Sequence, residues 1–119
     1  MLNHGMDEKS GIFEIDVDGT IDAESYRALV RDLETAVGRA GKVAVLETVR
    51  SIGWISPEVW LEDLFWSSRH MGSFSRIALV TDTGWIATMA TTAAIALPVT
   101  LRTFALDQAE EARAWLTSH

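Results

Sequence analysis

The sequence predicts an α/β fold: a mainly parallel sheet of four or five strands with four helices packed on it. Three observations carry this expectation. Short apolar runs with strand periodicity alternate with longer segments of helical periodicity. Capping residues and glycines punctuate the chain at each change of period. Strands separated by helices require crossover connections, which make neighbouring strands parallel. At 119 residues the chain fits one domain, spanning 1–119, and is long enough to bury a core without staples.

Taken in order, a short extra strand is expected at residues 1–4. "GIFEIDV" (11–17) sets Phe13, Ile15 and Val17 against Ile12, Glu14 and Asp16, the alternation of a strand with one buried face. Asp18-Gly19 is read as a turn, after which Asp22 caps a helix whose apolar positions are Tyr26, Leu29, Val30, Leu33 and Val37. Gly38 or Gly41 ends it. "KVAVLETV" (42–49) is a buried central strand that ends at Val49, leaving residues 50–55 as a loop. Ser56-Pro57-Glu58 combines a hydroxyl cap, a proline at the first helical position and an acid near the positive end, so a second helix runs to about Met71. "RIALVT" (76–81) is a further buried strand, and Asp82 or Thr83 caps a third helix that Pro98 stops. "VTLRTFAL" (99–106) alternates like an edge strand, and a capping box from Asp107 to Glu110 opens the last helix.

Composition excludes several function classes. Without cysteine there are no disulfides, thiolate nucleophiles or Cys-based metal centres. A net charge of −7 and ten scattered basic residues argue against a nucleic-acid partner. "MLNHGMDEKSG" lacks the basic start and apolar core of a signal peptide, so the cytoplasm is the expected compartment. The stretch 83–101 carries no charge, yet its threonines, Gly84 and Pro98 suit a buried helix followed by a strand, not a membrane span. Five tryptophans point to contact surfaces before chemistry.

The order of these elements resembles the SpoIIAA-like family, within the wider group of STAS and SEC14-type domains. The resemblance rests on "VDGTIDAESYRALVRDLE" after the first long strand and on Gly53-Trp54 after the second. A strand followed by Asp82 and Trp85, and "FALDQAEEARAWL" at the end, complete it. It covers nearly the whole chain. It implies a small α/β domain without a catalytic role, acting as an interaction or regulatory module, with lipid or apolar-ligand binding in the SEC14 branch. The related anti-sigma-factor antagonists are switched by phosphorylation of a serine in a D-S-x-G turn. Here the stretch is Arg50-Ser51-Ile52-Gly53, with arginine in place of the acid. Ser51 is thus a phosphorylation candidate, although a turn serine bonding its own backbone is the simpler reading.

A second candidate site is geometric. Ligands of parallel α/β sheets gather beyond the carboxyl ends of the strands. Two adjacent loops there carry the same pair, Gly53-Trp54 and Gly84-Trp85, and with Ser51, Asp82 and Thr83 they would line an apolar pocket. The competing reading is that each indole caps the core beneath its loop. A third candidate is an outward helix face. Helical spacing sends Trp60, Leu61, Leu64 and Phe65 to the core and leaves Val59 and Trp66 outside, the expected contact of a homodimer. The partners expected are therefore a second copy, a regulatory protein, or an apolar small molecule or lipid.

Catalytic and metal chemistry find little support. "EIDVDGTIDAES" mimics a calcium loop, but its first position is Glu14 and its twelfth is Ser25 where a bidentate glutamate belongs. His4, His70 and His119 have no ligand spacing, and there is no phosphate loop or nucleophile elbow. No cofactor, no metal and no enzymatic activity are expected.

Overall fold

The computed structural model describes the whole chain except residues 56–58, 60–61, 64–65, 67–68, 97–99 and 119, and gives Trp54, Ile55, Met71, Ala93 and Ala96 by backbone alone. Five strands form one sheet in sequence order: β1 (Leu2–Asp7), β2 (Ile12–Ile21), β3 (Val43–Ile55), β4 (Phe74–Thr81) and β5 (Leu101–Phe104). β1 pairs antiparallel with β2, and every later pair is parallel. The β1–β2 hairpin closes because Asp7 accepts from the Ser10 hydroxyl and the Lys9 N–H, while Gly11 takes the left-handed φ of +74°.

Three helices with defined bounds cover the sheet: α1 (Ala23–Ala40), α2 (Gly84–Ala96) and α3 (Ala109–Thr117). Between β3 and β4, residues Val59, Glu62, Asp63, Trp66, Arg69 and His70 are also helical, where the second helix is expected. Its proposed start at Ser56-Pro57-Glu58 lies outside the described residues, as does the stop at Pro98. α1 begins as its sequence requires, with Asp22 Oδ1 accepting the Ser25 N–H at 2.7 Å, and ends on Gly41 at φ +82°.

Moving repeatedly to the next strand in the same sense carries the crossover helices to one face of the sheet. That face holds Phe13, Ile15, Val17, Val45, Val49 and Leu79, packed with Leu29 and Leu33 of α1 and Ile86 of α2. The opposite face is smaller. There α3 places Ala112 and Leu116 on Ile12, Leu46, Ala78, Val80 and Phe104. The protein is a three-layer sandwich with a thick side and a thin side.

Several expectations need correction. Asp18-Gly19 does not turn the chain: β2 runs through it to Ile21, with Gly19 at φ +96° marking a bulge where the β2–β3 register shifts. β3 does not end at Val49 but continues to Ile55 beside this extension of β2, so Ser51, Gly53 and Trp54 lie on a strand. Asp107 does not open a capping box with Glu110. A 3-10 turn at Leu106–Gln108 precedes α3, and Gln108 Oε1 closes it by accepting the Ala105 N–H at 2.9 Å. Asp82 does not cap α2 but accepts the Leu106 N–H at 2.9 Å, tying the end of β4 to the exit of β5. Val59 is 3 % exposed and Trp66 packs against the core, so these two residues lie inward, opposite to the expectation. Val59 is thus closed to an outward dimer contact, while Trp66 is partly covered by the core. The residues expected to face inward, Trp60, Leu61, Leu64 and Phe65, lie outside the described residues.

Candidate functional site

A cavity of about 350 Å³ lies on the thick side, between the core face of the sheet and the helices above it. Strand residues Ile15, Val17, Val45, Val49 and Leu79 form its floor. Leu29 and Leu33 of α1, Val59 and Trp66 of the helical segment, and Ile86 and Ala90 of α2 form its walls. Trp85 and Met89, 54 % and 48 % exposed, stand on the same lining and mark its open side along α2. The size falls at the lower end of small-molecule sites.

One residue of the floor breaks the apolar pattern. Alternation along β3 puts Val43, Val45, Glu47 and Val49 on the same face. The register sets Glu47 between Ile15 of β2 and Leu79 of β4. Its carboxylate thus stands at the centre of the sheet's core face. It lines the cavity, and no hydrogen-bond donor among the described residues reaches it. Burial in apolar surroundings, reinforced by the negative charge of Asp63, pushes its pKa up from 4.5 to about 7. Glu47 stays partly exposed, so solvent reaches the carboxylate on this apolar floor.

Two further polar groups reach the lining. The Tyr26 hydroxyl donates to Asp63 Oδ1 at 2.9 Å, joining α1 to the helical segment across the cavity wall. Burial of the phenol and the charge of Asp63 raise the Tyr26 pKa, so the hydroxyl stays a donor across the physiological range. Beside this pair, Arg27 forms an ion pair with Glu62 at 2.6 Å. Trp66 stacks on His70 with ring centroids 4.3 Å apart, and His70 Nδ1 donates to the Trp66 carbonyl at 2.8 Å. The Trp66 Nε1–H is occluded and has no acceptor among the described residues, an uncompensated polar group at this wall.

The residues expected to bind ligand do not converge here. Trp85 lines the cavity, and Ile52 joins it from the far end of β3. Ser51, Gly53, Asp82 and Thr83 are absent from the lining, and the Trp54 side chain lies outside the described residues. The reason is topological. A crevice beyond the strand ends forms where strand order reverses, and this sheet runs in sequence order without reversal. The last β3–β4 pair is Val49 with Thr81, and Gly53 sits four residues further along, about 13 Å away, beside β2 alone. Its lack of a side chain answers to that strand: a Cβ on Gly53 would lie 2.8 Å from Thr20 Oγ1 and 3.2 Å from the Thr20 nitrogen. Thr83 donates its N–H to Thr81 Oγ1 at 3.1 Å, a local turn contact.

Ser51 occupies a different environment from a helix-entrance switch. Its hydroxyl donates to Asp18 Oδ1 at 2.6 Å across the β2–β3 pair, and Arg50 is engaged by Asp16 at 3.2 Å. A phosphate there would meet Asp18 at close range, with the adjacent guanidinium already committed. The same contacts dispose of the calcium-loop likeness: Glu14 is bound by Arg113, Asp16 by Arg50 and Asp18 by Ser51. Among the described residues no group of three or more His, Asp or Glu side chains is placed to hold a metal ion.

Sequence reasoning missed Glu47, Tyr26 and Asp63 as site residues. The signal for Glu47 was available: it is the lone acid in "KVAVLETV" and shares strand parity with Val45 and Val49.

A sequential, mostly parallel sheet with crossover helices over a cavity defines a small α/β module. Residues 12–117 match the SpoIIAA-like family, and the chain belongs to it. The structure is similar to the crystal structure of an uncharacterised protein with a SpoIIAA-like fold from Shewanella loihica PV-4. The two share 19 % identity and a TM-score of 0.79, over 98 % of this chain and 92 % of that one. At that identity the likeness speaks for the fold. No curated protein matches the chain. Family membership supports a non-enzymatic module as the broad class. Among the described residues no helix is long and apolar enough to cross a membrane; α2, with the uncharged sequence, has 13 residues.

Proposed function

We propose that this protein is a binding module whose ligand is a small, mainly apolar molecule held in the cavity under α1 and α2. The observation that carries the reading is Glu47: a carboxylate on an apolar cavity floor at the centre of the sheet, with no hydrogen-bond donor among the described residues. A position chosen only for packing would hold valine or leucine there, as positions 45, 49 and 79 do. A cavity of this size takes a compact metabolite or a single short chain, and is too small for a two-chain lipid. The half-exposed Trp85 and Met89 give an entry path that needs no movement of the sheet.

Trp66 and Trp85 both stand on the lining, so intrinsic fluorescence reads occupancy directly. Titration with a panel of compact apolar compounds should give saturable changes in emission. Ala90→Phe, which fills space on the α2 wall, should abolish them while the fold survives. A panel without response, or equal response from the filled variant, contradicts the reading. The phospho-switch at Ser51 gains no support from its contact with Asp18.

A further inference from the structure

Resting on the cavity reading, we infer that the ligand is an amine: a protonated nitrogen on an apolar body, with the ammonium set on the Glu47 carboxylate. The charges of the lining select it. Glu47 and Asp63 are the ionisable acids of the wall, and among the described lining residues there is no lysine, arginine or histidine. The guanidinium groups of Arg27, Arg50 and Arg113 are committed elsewhere, to Glu62, Asp16 and Glu14 in turn. A ligand carboxylate would enter a space that already holds two acids and offers no cation. An ammonium supplies what no described residue offers Glu47, a charged donor, and charge-assisted bonds are about twice as strong as neutral ones.

Two other features fit the same headgroup. Asp63 already accepts from the Tyr26 hydroxyl, and Glu47, which no donor among the described residues reaches, is the acceptor beside it on the lining. Four aromatic rings, Tyr26, Trp66, Phe74 and Trp85, contribute to the lining, and aromatic faces attract cations as well as apolar groups. A neutral alcohol would also bond Glu47, but without the charge.

The test uses three probes that share one body: octylamine, 1-octanol and octanoate, repeated with the phenylethyl trio. Binding to the whole protein is followed by tryptophan emission at about pH 8, where an alkyl ammonium remains charged. The expected result is an amine at least tenfold tighter than its matched alcohol, with no saturable binding of the carboxylate. Glu47→Gln should lower amine affinity to that of the alcohol and leave the alcohol unchanged. An alcohol or carboxylate that binds as well as the amine overturns the inference while the cavity reading stands. An amine preference that survives Glu47→Gln overturns it in the same way. If no member of either trio binds, the cavity reading falls and this inference with it.

Discussion

At the residue scale, Glu47 is the group whose placement the fold does not need, and its titration makes this measurable. Its pKa is raised in the folded chain from 4.5 to about 7, so between those values the folded state holds a proton that the unfolded state has lost. Stability therefore falls as pH rises through that window, by roughly 3 kcal/mol in the limit. Glu47→Gln removes the dependence. Its melting temperature should exceed that of the wild type by several degrees at about pH 8 and match it at about pH 4, where both side chains are neutral. Equal melting curves at both values would mean that Glu47 is solvated as an ordinary surface acid. Gly53 makes a second residue-level case. Its alanine variant should cost about 1–2 kcal/mol, because a Cβ would press on the backbone of Gly19 and Thr20 as well as on the Thr20 hydroxyl. Adding Thr20→Ala should recover only part of that loss in a denaturant titration, since the backbone contacts remain.

At the element scale, the helical segment after β3 shows how phase decides function. Its described residues Val59, Asp63, Trp66 and His70 follow helical spacing, and Val59 and Trp66 face the cavity and core. Trp66→Ala should therefore destabilise the protein by about 3 kcal/mol through lost packing against Phe74 and the core. Its sedimentation should stay that of the wild type; a changed oligomeric state would restore the outward reading. From sequence, the apolar residues of this segment are dense on more than one face, so periodicity alone assigns the phase wrongly. Strand parity and caps were legible: Phe13, Ile15 and Val17 face the core, Asp22 caps α1, and Gly41 ends it. The bulge at Gly19 was not, because a glycine after aspartate reads as a turn until the partner strand is known. That single misreading also shortens β3 and turns Ser51, Gly53 and Trp54 into loop residues.

At the scale of the whole molecule, the sequential strand order explains where function can sit. The order runs without reversal, and the crossover helices gather on one face. That thick layer leaves the cavity, while α3 closes the thin side with Ala112 and Leu116. The class of fold followed from the alternation of periods, but the cavity did not, because it depends on how three helices share one face. Glu47 is visible at both levels: an interruption in an apolar run, then an acid on a cavity floor. The most direct test of a ligand-holding cavity is a native mass spectrum of the protein purified from its own source and of its Ala90→Phe variant. A one-to-one adduct of a small molecule is predicted on the wild type, and its loss from the filled variant. A bare chain that also stays bare after incubation with the amine, alcohol and carboxylate probes would contradict it.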